Sequence, residues 1–393
     1  MLSRGPLRLC HDRNVTEPIG RRIALHRRRR GLSQAAVAGL IGRSESWLSQ
    51  VERGLRSVDS YSALRDLARV LRVDITTLTD GGPTVGSVRS PEVPQIDAIE
   101  RALLVGGDGT PPADVETAVP DLHSAYQAAR YDEVLAALPG LIVALHRAPA
   151  ALVVAGYTVV AKMLTKIGSP DLALIAADRA WNAAHRTGDP ADLGMAAYQV
   201  VCALLPTPRA ALADDLAVRT AAGLDGDERD VISVAGALWL IGAVAAARRI
   251  DAAVAEERLN RAQGLADLLG EDANHRWTAF GPTNVAIHRV SVAVELGDAP
   301  AALAAAATVD LDRLPGGLRS RRVQVQLDIA WAQAQRRRDA EALVALLEVE
   351  RAAPQVTRRN AVARDTIRQL LGRARGTTGF AVRSLAHRAG VAV

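Results

Sequence analysis

Helix-start signals recur through the last two thirds of this chain at a step of about 40 residues, and this recurrence constrains the fold more than any other feature. Tyr131-Asp132, Pro170-Asp171, Pro208, Asp251, Asp298 and Asp339 each open an apolar helical stretch after a short break. Proline fits the first helical turn, where its missing N–H is not needed, and aspartate accepts from the free N–H groups there. Two helices per step make a hairpin. A hairpin alone cannot bury its apolar face, so successive hairpins must stack. Six of them and a last helix near 361–373 are expected. Ala177, Trp181 and Ala184 set small, large and small side chains on one helix face, and Ala255, Leu259 and Ala262 repeat the order. Abundant alanine lets such helices approach closely, and no alternating strand pattern of any length is present. Residues 114–375 therefore read as an α-solenoid with a concave inner face, and 376–393 as a C-terminal tail. No apolar run of about 18 residues lacks a charge or turn signal, so no membrane span is expected and the protein reads as cytoplasmic.

The N-terminal segment is different. The chain carries a net charge of +5, and residues 17–80 alone hold twelve Arg against seven Asp or Glu. The basic arm 1–16 adds to this, and the remainder is slightly acidic. Such an uneven excess is the electrostatic footprint of a nucleic-acid module. Lysine occurs only at Lys162 and Lys166, so arginine richness by itself argues less than its placement. Within 17–80, Ile19 and Ile23 give a first helix that Gly31 ends. Ser33 caps a second helix with Val37, Leu40 and Ile41 inward. Gly42 makes a tight turn. Ser44 caps a third helix with Leu48 and Val51 inward and Gly54 closing it. Leu64, Leu67, Ala68 and Leu71 give a fourth helix, and Ile75 to Leu78 a short fifth. Two short helices about a glycine turn make a helix-turn-helix. Residues 81–113 are rich in Gly and Pro and read as a linker, with one short docking helix from Gln95 to Leu104.

The residues Leu32-Ser33-Gln34, the Ile41-Gly42 turn, Ser44 and Val51-Glu52-Arg53-Gly54 closely resemble the Cro-like, or XRE, family of lambda-repressor-like DNA-binding domains. Arg43 departs from that pattern, which commonly has an apolar or small residue there. The resemblance implies that the third helix lies in the major groove and that Glu45, Ser46, Ser49 and Gln50 meet base edges. Gln50 can bond adenine as a bidentate pair, and Glu45 can accept from cytosine. Gln34, Arg43, Arg53 and Arg56 are expected at phosphates, with Ser44 at the helix start beside them. Arg27 to Arg30 suit the C-terminus of the first helix, where cations complement the macrodipole. Trp47 is read either as lining the groove wall or as covering the domain's own surface. A homodimer on a palindromic operator is implied, since one such module covers a half-site. The later stretches WTAFGPTNVAIHRVSVAVELGD and RRAAPQVTRRN resemble the TPR-like regions attached to XRE domains in regulators of high-GC bacteria. More distantly, the arrangement is similar to peptide-pheromone receptors.

No catalytic constellation is present: there is no nucleophile elbow, phosphate-binding loop or zinc-protease helix. Cys10 and Cys202 stand far apart and offer neither a disulfide framework nor metal spacing. No enzyme activity, cofactor or metal is expected. The unusual stretch is Trp277 to His288, in a chain only 3% aromatic. Pro282 fits a helix start, with Thr283 and Asn284 in its first turn and His288 one turn on from Asn284. Asn284, His288, Thr283, Trp277 and Phe280 are candidate ligand contacts, with Trp181, Asn182 and Trp239 on the same inner surface. The alternative is that Trp277 and Phe280 plug a gap between hairpins. The whole reads as a DNA-binding transcriptional regulator whose repeats sense a small molecule or peptide and support dimerisation. The alternative is an adaptor whose repeats recruit a protein partner.

Overall fold

The computed structural model describes residues 19–29, 32–54, 56, 58, 61–71, 73, 75, 78, 94–107, 109–207, 209–249 and 251–391. The basic arm, Arg30, most of the short fifth helix and the first part of the linker lie outside the described residues. Among the described residues every regular element is a helix. The chain divides into two units, residues 1–91 and 92–393.

The first unit contains α1 (Ile19–Arg29), α2 (Gln34–Leu40), α3 (Glu45–Glu52) and α4 (Tyr61–Leu71). The Ser33 hydroxyl accepts from the Ala36 N–H at 3.1 Å, and Ser44 accepts from the Trp47 N–H at 3.1 Å. Gly42 between them has φ +65°, a left-handed conformation that glycine adopts at little cost. Ile23, Val37, Leu48, Val51, Leu67 and Leu71 meet in the core, and Trp47 joins them at 6% exposure. Trp47 therefore covers the domain's own interior. Leu40 was expected inward and is instead 63% exposed. Val37, Ala38 and Ile41 set the arc of this short helix that faces the core, and Leu40 falls off it. α1 crosses α3 so closely that a Cβ on Gly20 would collide with the Val51 carbonyl.

The second unit opens with α5 (Pro94–Leu104), whose Ile99 and Leu103 are fully buried. Six hairpins follow. Their first helices are α6 (Val115–Gln127), α8 (Ala150–Lys166), α10 (Pro190–Leu204), α12 (Arg229–Arg248), α14 (Pro282–Leu296) and α16 (Arg319–Gln335). Their second helices are α7 (Tyr131–Leu145), α9 (Pro170–Thr187), α11 (Ala210–Gly223), α13 (Ala252–Leu269), α15 (Ala299–Ala306) and α17 (Asp339–Ala352). Each first helix packs against the first helix of the next hairpin, forming an inner row, and the second helices stand outside it. Alanine makes this stacking close: Ala173, Ala176, Ala177, Ala180 and Ala184 of α9 are all fully buried. α12 is apolar and long enough to cross a membrane by composition, but 89% of its apolar window is buried inside the stack.

The chain ends with α18 (Pro354–Arg359), α19 (Ala361–Leu371) and α20 (Gly376–Arg388). The last of these corrects the expected tail at 376–393. Val382, Leu385, Ala386 and Ala389 follow helical spacing and are fully buried, with α20 packed on α19 and α17. The two ends of the stack also meet. α16 touches α6, Gln355 Nε2 donates to Asp132 Oδ2 at 2.8 Å, and one apolar cluster holds both Leu135 and Leu346. The inner row thus curls into a ring around a lumen.

Candidate nucleic-acid interface and lumen of the helical ring

In the first unit, the geometry begins with a buried ion pair. Arg27 of α1 donates from Nε and Nη2 to the Glu52 carboxylate of α3 at 2.6 and 2.8 Å, and from Nη1 to the Leu32 carbonyl. The side chains are 13% and 5% exposed. The bond to Glu52 holds the guanidinium above the ordinary arginine range. Arg27 therefore serves inside the domain, where the sequence suggested a cation complementing the end of the first helix. Gln34 is a second correction: its amide nitrogen donates to Glu52 Oε2 at 2.7 Å, so that nitrogen is committed within the domain. Both side chains fix the start of α2 relative to the end of α3.

With that frame set, α3 presents Glu45 and Ser46 exposed and Ser49 and Gln50 half-buried. Gln50 Nε2 lies 3.4 Å from the Ser46 hydroxyl, a weak bond that a better acceptor would replace. Arg43 is exposed, its guanidinium 5.5 Å from the Trp47 ring. Arg53 donates to the Ser49 carbonyl at 3.2 Å, and both Arg53 and Arg56 are exposed. The Ser44 hydroxyl is occupied as the cap of α3. A row of hydrogen-bonding side chains thus runs along one short helix, flanked by cations at both of its ends.

In the second unit, the connection between α13 and α14 threads into the lumen. Asn274 and Gln127 of α6 exchange amide bonds at 2.8 and 2.9 Å. The Trp277 carbonyl accepts from Lys162 of α8 at 3.1 Å, and the Thr278 carbonyl accepts from Arg321 of α16 at 3.3 Å. Arg276 donates to Asp189 and Asp192 at the start of α10 and to Asp230 of α12 at 2.5 to 2.6 Å. The Trp277 ring stacks on His123 with centroids 3.9 Å apart. Phe280 is fully buried, and a Cβ on Gly236 of α12 would collide with its ring. Arg276, Trp277 and Ala279 hold φ of 50–55°, a region costing non-glycine residues on the order of 1 kcal/mol each. Five inner helices thus hold one strained strap across the ring.

This placement revises most of the expected ligand contacts. Trp277 and Phe280 join the strap to the ring, as the plugging alternative described. Phe280 has no surface to offer a ligand. The Thr283 hydroxyl is taken by Asp272 at 2.7 Å. Trp181 and Asn182 lie on α9, an outer helix, where Trp181 tilts against His185 and Asn182 is exposed and bonded to Asp178. Trp239 sits on an inner helix but turns outward, its ring under Arg261 of α13 at 4.8 Å. Asn284 is 1% exposed and its Oδ1 is buried without a partner. His288 bonds the Asn284 carbonyl through Nδ1 at 2.8 Å, and burial pushes its imidazole down to about 3, so it is neutral.

Sequence reasoning missed a set of buried titratable groups on the inner helices. Lys162 and Lys166, one helical turn apart on α8, are the only lysines of the chain. Burial pushes them down to about 7 and about 8, with Arg321 adding repulsion. Asp328 of α16, accepting from Ser291 and Gln324, is pushed up to about 7 by burial. Burial raises the Tyr198 phenol and raises Cys202 to about 11. The rarity of lysine was the one signal that marked these positions in advance. Among the described residues no group of three His, Cys, Asp or Glu is placed to hold a metal ion.

The first unit is a helix-turn-helix module by its helix order, its glycine turn and its exposed third helix. Residues 18–80 match the family described as Helix-turn-helix domain. The HTH-type transcriptional regulator SlrR of Bacillus subtilis (strain 168) is 40% identical over 62 residues, which are 16% of this chain and 41% of that protein. The match spans less than half of that relative. Over 95% of this chain and 94% of the other, it is similar to Bacillus thuringiensis PlcR, crystallised with the peptide PapR7 and DNA, at 14% identity and a TM-score of 0.28. That likeness is too slight to carry an argument about the second unit.

Proposed function

We propose that the protein is a sequence-specific DNA-binding transcriptional regulator of the cytoplasm. In this reading its TPR-like ring receives a small-molecule or peptide effector and supports a homodimer on a palindromic operator. The observation that carries the DNA reading is the exposed face of α3, with Glu45, Ser46, Ser49 and Gln50 between Arg43 and the pair Arg53 and Arg56. Arginines fix the module on phosphates, and the polar row reads bases. The effector reading is supported by the lumen, where polar and charged groups from five inner helices converge on a strap held under strain.

Substituting Gln50 by alanine should cost about 1–3 kcal/mol on the cognate site and little on random DNA. Arg53→Ala should weaken both alike, with a shallower salt dependence, by a log–log slope of about 0.9 per lost phosphate contact. Fluorescence anisotropy on both DNAs at several salt concentrations reads these effects. Equal losses on both DNAs for Gln50→Ala would remove Gln50 from base readout.

For the effector, Asn284 and His288 of α14 remain the candidate contacts, with Asn284 Oδ1 buried and unpartnered. The double variant Asn284→Ala/His288→Ala should fold and bind DNA while losing its response to the effector. Retention of the full response would clear both residues of sensing.

A further inference from the structure

At the seam where the ring closes, the last turn of α8 and the start of α7 face α18, and a small cleft, partly open to solvent, lies between them. Met163, Ile167 and Val356 supply an apolar part of its wall, and Tyr131, Lys166, Gln355, Arg359 and Asn360 a polar one. The polar part is unfinished. Tyr131 is 2% exposed, yet its hydroxyl has no hydrogen-bond partner. Gln355 Oε1 and Arg359 Nη1 are likewise buried and unpartnered. Gln355 spends its amide nitrogen on Asp132 at the rim, and Asn360 Oδ1 caps α19 by accepting from Ala363.

Charge sharpens the picture. Among the described residues, neither Lys166 nor Arg359 makes an ion pair or a side-chain hydrogen bond. The Lys166 ammonium rests 5.7 Å from the Tyr131 ring centroid and feels Asp328 only at a distance. No carboxylate is among the lining residues. Elsewhere in this unit Arg276 meets three aspartates, Arg258 meets Asp214, and Lys162 and Arg321 at least donate to backbone carbonyls of the strap. Unpaired charges and unmade hydrogen bonds inside a protein are costly, so a site retaining several is one awaiting a ligand that completes them. Burial raises the Tyr131 phenol far above its ordinary range, which keeps it a proton donor.

We propose that this seam cavity binds a small organic anion, its carboxylate or phosphate headgroup held by Lys166, Arg359 and the Tyr131 hydroxyl and its body against Met163, Ile167 and Val356. A ligand there touches the first two hairpins and α18 at once and ties the ends of the ring together. The inference stands on the lining chemistry and does not require the DNA-binding or strap-side effector reading, so binding is measured without DNA.

The test is isothermal titration of the full chain with two probes, inorganic phosphate and hexanoate. At least one should bind with one site per chain, and which one identifies the headgroup and the use of the apolar wall. Tyr131→Phe removes only a hydroxyl that bonds nothing within the protein, so folding should be unaffected. Arg359→Gln removes one cation. Each should weaken binding about tenfold or more, the scale of a lost hydrogen bond to a charged group. Exposed Arg313→Ala should change nothing. Binding of neither probe, or wild-type affinity in either seam variant, overturns the proposal. Thermal unfolding monitors both variants, and if Arg359→Gln fails to fold, Tyr131→Phe decides alone.

Discussion

Substituting Glu52 by alanine should cost the helix-turn-helix unit about 3–5 kcal/mol, because Arg27 is left buried without its carboxylate. Arg27 is 13% exposed, and its guanidinium spends two of its donors on the Glu52 carboxylate. Gln34 loses its acceptor by the same change. A domain of this size holds only about 5 kcal/mol in all, so the loss is nearly the whole of its stability. Circular dichroism on heating should show the first unit melting early, while the second unit melts as in the parent. DNA binding should disappear at temperatures where the ring is intact. Glu52→Gln, which can still accept from Arg27, should lose less. A Glu52→Ala protein with unchanged melting and DNA affinity would show that the ion pair does not hold α1 to α3.

The second large effect belongs to the strap. Arg276→Met should destabilise the second unit by about 3 kcal/mol or more, since it leaves three aspartates facing one another. Most of this comes from Asp192, whose side chain is 3% exposed, because Asp189 and Asp230 are partly screened by solvent. Burial already raises the Asp192 carboxyl, and Arg276 opposes that rise. Without the arginine the folded-state value climbs further. A carboxyl raised on folding favours the folded state at low pH and loses that contribution as pH rises through the folded value. The variant's deficit should therefore be larger at about pH 8 than at about pH 5. Urea denaturation at both values checks this, and a deficit that grows toward acid would contradict the assignment.

Helix starts were legible because their chemistry is local. Asp251 caps the Val254 N–H and Asp298 caps the Ala301 N–H, as any aspartate before an apolar helix can. The third helix of the first unit was legible for the same reason, through Ser44 and Gly42. What escaped was set by distance along the chain. Glu52 gives no sign in sequence that its partner is Arg27, 25 residues earlier. Gln127 reaches a residue 147 positions away, and Gln355 one 223 positions away. Composition also misled. Aromatic residues near a helix start suggested a binding surface, whereas Trp277 and Phe280 secure the strap. The apolar rhythm of Val382, Leu385, Ala386 and Ala389 has readable helical spacing, yet 376–393 reads as a tail when the 40-residue step alone is followed.

The meeting of the first and last hairpins changes how such an array can vary. In an open stack each repeat touches only its neighbours, so units can be gained or lost at an end with local consequences. Here Leu135 and Leu346 share one apolar cluster. Removing a terminal hairpin would strip the cover from residues more than 200 positions away. Inserting one would force the ends apart or widen the bore, and Lys162 and Arg321 would no longer reach the same strap. Hairpin number and bore are thus locked to one another, and a lineage carrying this architecture should tolerate changes in loop length far better than changes in repeat count.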